Sequence, residues 1–114
     1  MFTGLFFMAG MYAQFTHLPS KDTMMKQMVT ANRYFMDKWP DPGVDIVTDK
    51  VRPSNLWTRA AYYEGLMALY YIHPEEEYFN YAVEWGQSHD WLPTYGSLRT
   101  RDADHQCCGQ TYVE

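Results

Sequence analysis

Near the end of this chain, in RTRDADHQCCGQTYVE (residues 99–114), two carboxylates and an imidazole stand almost together. Asp102 and Asp104 flank one alanine, and His105 follows at once. Such a set can exchange protons with a substrate or orient a water. It can also simply start a helix, because Asp accepts backbone N–H bonds at an N-cap. Asp102 is read as the plain cap. Asp104 is the candidate for chemistry, with capping as its plain alternative. The positive end of a helix favours an ionised carboxylate, so Asp104 suits a base or a hydrogen-bond acceptor better than the principal proton donor. His105, in the same first turn, is a candidate substrate contact.

A second pair opens the most apolar segment, LWTRAAYYEGLMALYYI, residues 56–72. Trp57 offers a ring that can stack on a sugar. Arg59 offers a guanidinium that can hold a carboxylate through two hydrogen bonds. Their plain alternatives are a buried indole and an arginine paired with Asp45 or Asp49. His73 and His89 sit at helix ends and are read as structural, and Tyr62 and Tyr63 as packing. Cys107 and Cys108 are adjacent, a spacing that bridges only with strain. With no CxxC pair, a structural zinc site is not expected. Both cysteines are read as small buried residues of a helix face.

Four helices must position these groups. The first runs from Lys21 to Trp39, with Ser20 as its cap and Pro40 and Pro42 ending it. Met24, Met28, Ala31, Phe35 and Trp39 recur with helical period and are expected to face the core. Lys26, Thr30, Arg33 and Asp37 mark the wet face. The connection PDPGVDIVTDKVRPSN, residues 40–55, is long, and its DIVTD can make a short β excursion. The second helix, from Asn55 to Ile72, carries only Arg59 and Glu64 as charges, so it is expected to be buried on nearly all sides. The third starts at Pro74, has Glu75, Glu76 and Glu77 at its positive end, and buries Tyr78, Ala82, Trp85 and His89. After the loop HDWLPTYGSLRT, a fourth starts near Asp102 or Asp104. Wet-faced and buried helices therefore alternate. Antiparallel pairs closed into a ring, an all-α toroid, give that order, and the inner helices then enter from one rim. A substrate pit at such a rim is lined by helix starts and loop side chains.

Composition narrows the partners. The chain has 114 residues, enough for one small domain, and a net charge of −5 with Lys and Arg scattered. That argues against a nucleic-acid face. Ten Tyr and four Trp mean a thick aromatic core or a carbohydrate groove, and the core reading takes most of them. Residues 1–14, MFTGLFFMAGMYAQ, are too short to span a bilayer and are read as an export signal, with Ala13 as the cleavage position. The mature protein is then exported, periplasmic or secreted, with no membrane partner. Residues 20–114 form the domain. CCGQTYVE shows no helix stop signal, so the chain is read as cut inside a helix.

WTRAAYYEGLMALYYIHPEEEYFNYAVEWG followed by ADHQCCGQTYVE resembles the N-terminal part of glycoside hydrolase family 105, the unsaturated rhamnogalacturonyl hydrolases, related to the family 88 unsaturated glucuronyl hydrolases. The resemblance covers residues 21–114. It implies an (α/α)6 barrel of which this chain holds roughly two hairpins. It implies removal of a Δ4,5-unsaturated uronic acid from oligosaccharides left by polysaccharide lyases, through hydration of the double bond. That differs from the usual two-carboxylate displacement. It places Asp104 on the pit wall in a supporting role, with Gly109 shortly after, and His105 beside it. The main proton-donating Asp of the family has no counterpart in these residues, so the chain is expected to be inactive alone. No metal or organic cofactor is implied; the partner is an oligosaccharide, and the oligomeric state is open. Two rivals remain: an α/α barrel with other carbohydrate chemistry (lyase or epimerase), and a helical-repeat binding module. A nearly uncharged second helix opposes the binding module, because an open solenoid leaves each helix half wet.

Overall fold

A computed structural model describes residues 18–96 and 102–114. The expected export signal, residues 1–14, lies outside the described residues. Among the described residues, five α-helices, one 3-10 turn and one small ribbon follow in order: α1 (Lys21–Lys38), β1 (Ile46–Val47), β2 (Val51–Arg52), α2 (Trp57–Ile72), α3 (Glu76–Ser88), the 3-10 turn (Thr94–Gly96), then α4 (Ala103–Gln106) and α5 (Cys108–Tyr112). The fold is all-α, in line with two hairpins of a helical barrel.

Ser20 caps α1 as its type suggests: its Oγ accepts the Thr23 N–H at 3.1 Å. Asp22 and Lys38 complement the two ends of the helix dipole. The face that packs is only in part the one expected: Phe35 and Trp39 are half-buried, as read. Met24, Met28 and Ala31 are exposed, whereas Asn32 and Met36 are buried, with Met25, Val29 and Phe35 partly so. The helix is turned by one residue toward α2. Two contacts set that turn. The Tyr62 hydroxyl donates to Asn32 Oδ1 at 2.6 Å, and the Phe35 and Tyr62 rings stack with centroids 3.3 Å apart. A buried asparagine is tolerable only with such a partner.

The long connection folds into the expected β excursion, an antiparallel ribbon with Ile46 opposite Arg52 and Val47 opposite Val51. Behind it, Ser54 and Pro42 are wholly buried. The Ser54 hydroxyl lies 2.7 Å from the Pro42 carbonyl oxygen and 2.7 Å from His89 Nε2. A carbonyl can only accept, so the hydroxyl proton goes to Pro42 and His89 donates through Nε2–H. Trp85 Nε1 donates to the Ser54 carbonyl at 3.2 Å. The connection is thereby fastened to the end of α3. Burial lowers the His89 pKa, against the opposing pull of Asp45 and Asp90. His89 is structural, as expected.

α2 buries Arg59, Ala60, Tyr63, Leu66, Met67 and Leu69. It is not covered all round. Ala61, Gly65, Ala68, Tyr71 and Ile72 are exposed, because α1, α3 and α5 occupy only its other sides. α3 begins two residues after Pro74, with Glu76 and Glu77 in its first turn. Its buried stripe, Tyr78, Ala82 and Trp85 with His89 half-buried, is the one the periodicity predicts. Beyond α3 the chain turns through Asp90 and Trp91, both at positive φ, and the Trp91 N–H returns to the Gly86 carbonyl at 3.0 Å. The indole then lies on Gly86: a Cβ there would stand 2.2 Å from its Cζ3.

The fourth helix is not continuous. It breaks at Cys107 into α4 and α5. Cys108 is buried, whereas Cys107 is only half-buried, and both are unbridged. The rings form a column through the core: Phe35 on Tyr62, Tyr62 on Tyr63, Tyr63 stacked on Trp85 at 3.8 Å, and Trp85 against Tyr112 at 5.3 Å. Stacked and edge-on rings at such spacings add to the area they bury.

Candidate functional site

Two hydrogen bonds join the segment that leads into α4 to the segment that leads into α2. Thr94, wholly buried, donates from Oγ1 to the Asn55 carbonyl at 2.8 Å, and Asn55 Nδ2 donates to the Leu92 carbonyl at 3.0 Å. Farther along, Thr111 of α5 donates to Glu64 Oε1 at 2.5 Å. The α4–α5 path therefore runs in the same direction as α2, and both helices start at one end of the molecule. This is the common rim that the alternation of helices predicts.

Asp102 is the cap of α4: its Oδ1 accepts the Asp104 N–H at 3.1 Å. Its other oxygen lies 3.6 Å from His105 Nε2, an ion-pair distance when the imidazole is protonated and long for a hydrogen bond. Asp104 is exposed in the first turn and is not the cap. His105 is more enclosed, with 15 % of its side chain exposed and a buried Nδ1 that has no hydrogen-bond partner. The Tyr95 ring meets its imidazole edge to face, with centroids 5.1 Å apart. Asp102, Asp104, His105 and Tyr95 thus share one corner of the rim. α4 is a single turn, so positioning here comes from side chains and from the Asn55–Thr94 fastening.

Trp57, the first residue of α2, is 47 % exposed, so its indole is open at the helix start. Arg59 behaves differently. It is 4 % exposed, and its guanidinium carbon lies 4.6 Å from the Trp39 ring centre and 5.9 Å from that of Phe35. It stacks between α1 and α2, one of its nitrogens, Nη1, is buried without a partner, and it forms no ion pair with Asp45 or Asp49. Asp49 is held by Arg52 at 3.3 Å instead. The aromatic faces of α1 compensate the charge that an acid was expected to meet. The structure therefore brings Asp102 toward His105, leaves Asp104 exposed in the same turn and Trp57 open on the neighbouring helix start, and turns Arg59 inward.

Other chemistry finds little footing. Burial, and then the charge of Glu64, push the Cys107 thiol up, which disfavours a nucleophilic thiolate. Among the described residues, no three His, Cys, Asp or Glu side chains are grouped to hold a metal ion, and no helix is long and apolar enough to cross a membrane. The sequence reading missed Ser54, Asn55 and Thr94, which build the rim, and Tyr95, which touches His105. Their partners lie 31 to 39 positions away or across a loop, so no local pattern marks them.

An all-α stack whose inner helices start at one rim, with acids and open rings there, defines a protein of the helical-barrel class. The sequence model of Glycosyl Hydrolase Family 88 matches residues 20–114, and the chain belongs to that family: it is a glycoside hydrolase. No curated protein and no solved structure matches it. The family match, rather than the burial of α2, sets aside the helical-repeat binding module, since α2 does keep an open side.

Proposed function

We propose that this glycoside hydrolase removes a Δ4,5-unsaturated uronic acid from lyase-generated oligosaccharides of the rhamnogalacturonan or pectin type, as in glycoside hydrolase family 105. A proton adds to C4 of the double bond and the oxygen of a water bonds to C5. The water's proton passes to a base. The hemiketal at C5 then opens, and the glycosidic link falls apart. Asp104 has the supporting part: it orients the water or a sugar hydroxyl and does not make the principal proton transfer. His105 and Trp57 contact the substrate. Arg59 has no direct part in this scheme, because its guanidinium lies between α1 and α2. The apolar start of the chain suits export to where such oligosaccharides are met.

The observation that carries the reading is the division of labour between the two acids. Asp102 caps α4, so Asp104 stands exposed beside His105 on the rim shared with Trp57. The test uses the protein made from the complete reading frame and an unsaturated rhamnogalacturonan disaccharide. Loss of the double bond is followed at about 235 nm, within this acid–base scheme. Asp104→Asn is expected to slow the decay by about 10²-fold or more, the usual weight of a positioned acid–base group. Asp102→Ala is expected to keep activity and lose about 1 kcal/mol of stability, the usual value of a cap. Equal rates for wild type and Asp104→Asn would remove Asp104 from the site. No decay of any unsaturated uronide would leave the hydrolase and reopen its substrate.

A further inference from the structure

Among the described residues, three that are not glycine hold positive φ: Asp90 at 52°, Trp91 at 57° and Tyr95 at 66°. A side chain with a Cβ is strained there, and such strain persists only where surrounding structure enforces it. The first two have a structural reason. Aspartate tolerates this region, and the turn it makes with Trp91 returns an N–H to the Gly86 carbonyl and lays the indole on Gly86 and against Tyr112. Tyr95 has no comparable packing. Its residue is 60 % exposed, although the preceding Thr94 is wholly buried and anchored to Asn55.

The left-handed backbone at Tyr95 instead aims its ring. The ring stands edge to face with His105, at 78°, in the corner that also holds Asp102 and Asp104. In that geometry His105 can cover at most one face of the ring. With 60 % of the residue exposed, ring surface remains open to solvent next to His105. Sugar rings present apolar C–H faces, and an aromatic face held rigidly next to polar groups is what orients them.

We propose that Tyr95 is a substrate-positioning residue, whose open ring face takes a sugar ring of the oligosaccharide next to His105 and Asp104. The proposal rests on the reading of this rim as the sugar site. A residue of this kind acts in binding and leaves the chemical step alone, so its loss raises KM and spares kcat. It also carries a signature that a buttress lacks: removing a strained functional side chain relaxes the backbone and does not destabilise the fold.

The experiment uses the protein from the complete reading frame, with unsaturated rhamnogalacturonan disaccharide as the probe. Tyr95→Gly and Tyr95→Ala are expected to raise KM about ten-fold, with kcat within about three-fold of wild type, and Tyr95→Phe to keep both. The Tm of Tyr95→Gly is expected at or above that of wild type. Unchanged KM in the glycine and alanine variants of an active enzyme overturns the proposal and leaves the rim reading intact. A lower Tm in Tyr95→Gly overturns it too, since the ring would then serve as a buttress for His105. Absence of turnover by wild type removes the substrate reading on which the assignment of Tyr95 rests, and that assignment with it.

Discussion

Replacing Ser54 by alanine removes one hydroxyl from a place where nothing can substitute for it. The wholly buried Oγ serves the Pro42 carbonyl and the His89 N–H, each at 2.7 Å. Alanine leaves both groups without a partner. An orphaned buried group costs about 1–3 kcal/mol, and the half-buried His89 belongs at the low end, so the loss is about 3 kcal/mol. In a domain of this size about 1 kcal/mol corresponds to ~4–8 °C in Tm, so the midpoint should fall by on the order of 10–20 °C in thermal unfolding followed by circular dichroism. The pH dependence adds a second check. Burial holds the His89 pKa below its unfolded value of about 6.5. As pH falls the unfolded chain therefore takes up the proton first. The stability contributed by neutral His89 is full above about pH 6.5 and is lost as pH drops through the window down to the folded pKa. His89→Gln keeps an N–H donor near the position of Nε2, so it should cost less than Ser54→Ala and flatten this slope. A Tm within about 2 °C of wild type for Ser54→Ala would refute the hydrogen-bond assignment. A slope that persists in His89→Gln would move it to another group.

Arg59→Met replaces a buried guanidinium that has an unpartnered nitrogen with an uncharged chain of similar length, so stability should hold or rise, checked by urea unfolding. KM should stay within about two-fold of wild type; a ten-fold rise would return Arg59 to the substrate site. Gly86→Ala sets two effects against each other. Alanine gains about 0.5–1 kcal/mol of helix preference, but its Cβ meets the Trp91 ring at 2.2 Å. The clash should win, with a net loss of about 1–3 kcal/mol and a red shift of tryptophan emission as the indole leaves Gly86.

Helix existence and order were legible in the sequence because each segment carried its own period and punctuation. α3 shows this best: Tyr78, Ala82 and Trp85 are buried as read. α1 shows the limit. Met24, Met28 and Ala31 fit a helical stripe as well as the true face does. The choice between them was made by Tyr62 bonding Asn32, 30 positions away. α2 looked fully buried because its open side, Ala61, Gly65, Ala68, Tyr71 and Ile72, carries no charge to mark exposure. At the site, the Asp102 cap and the placing of Asp104 and His105 in one first turn were local and were read, whereas the approach of Asp102 to His105 was not. The inward turn of Arg59 depends on Trp39 and Phe35 of another helix, and the contact of Tyr95 with His105 depends on a left-handed residue that no composition rule marks.

The ring column has an optical consequence. It passes from Phe35 in α1 through Tyr62 and Tyr63 in α2 and Trp85 in α3 to Tyr112 in α5, and so crosses the principal helix contacts in series. Rings held in such fixed, chiral proximity produce near-ultraviolet dichroism, which vanishes when packing loosens even if helices persist. The molecule thus carries a built-in gauge of assembly. A variant that keeps its far-ultraviolet spectrum but loses the near-ultraviolet band has let the helices part without unwinding them.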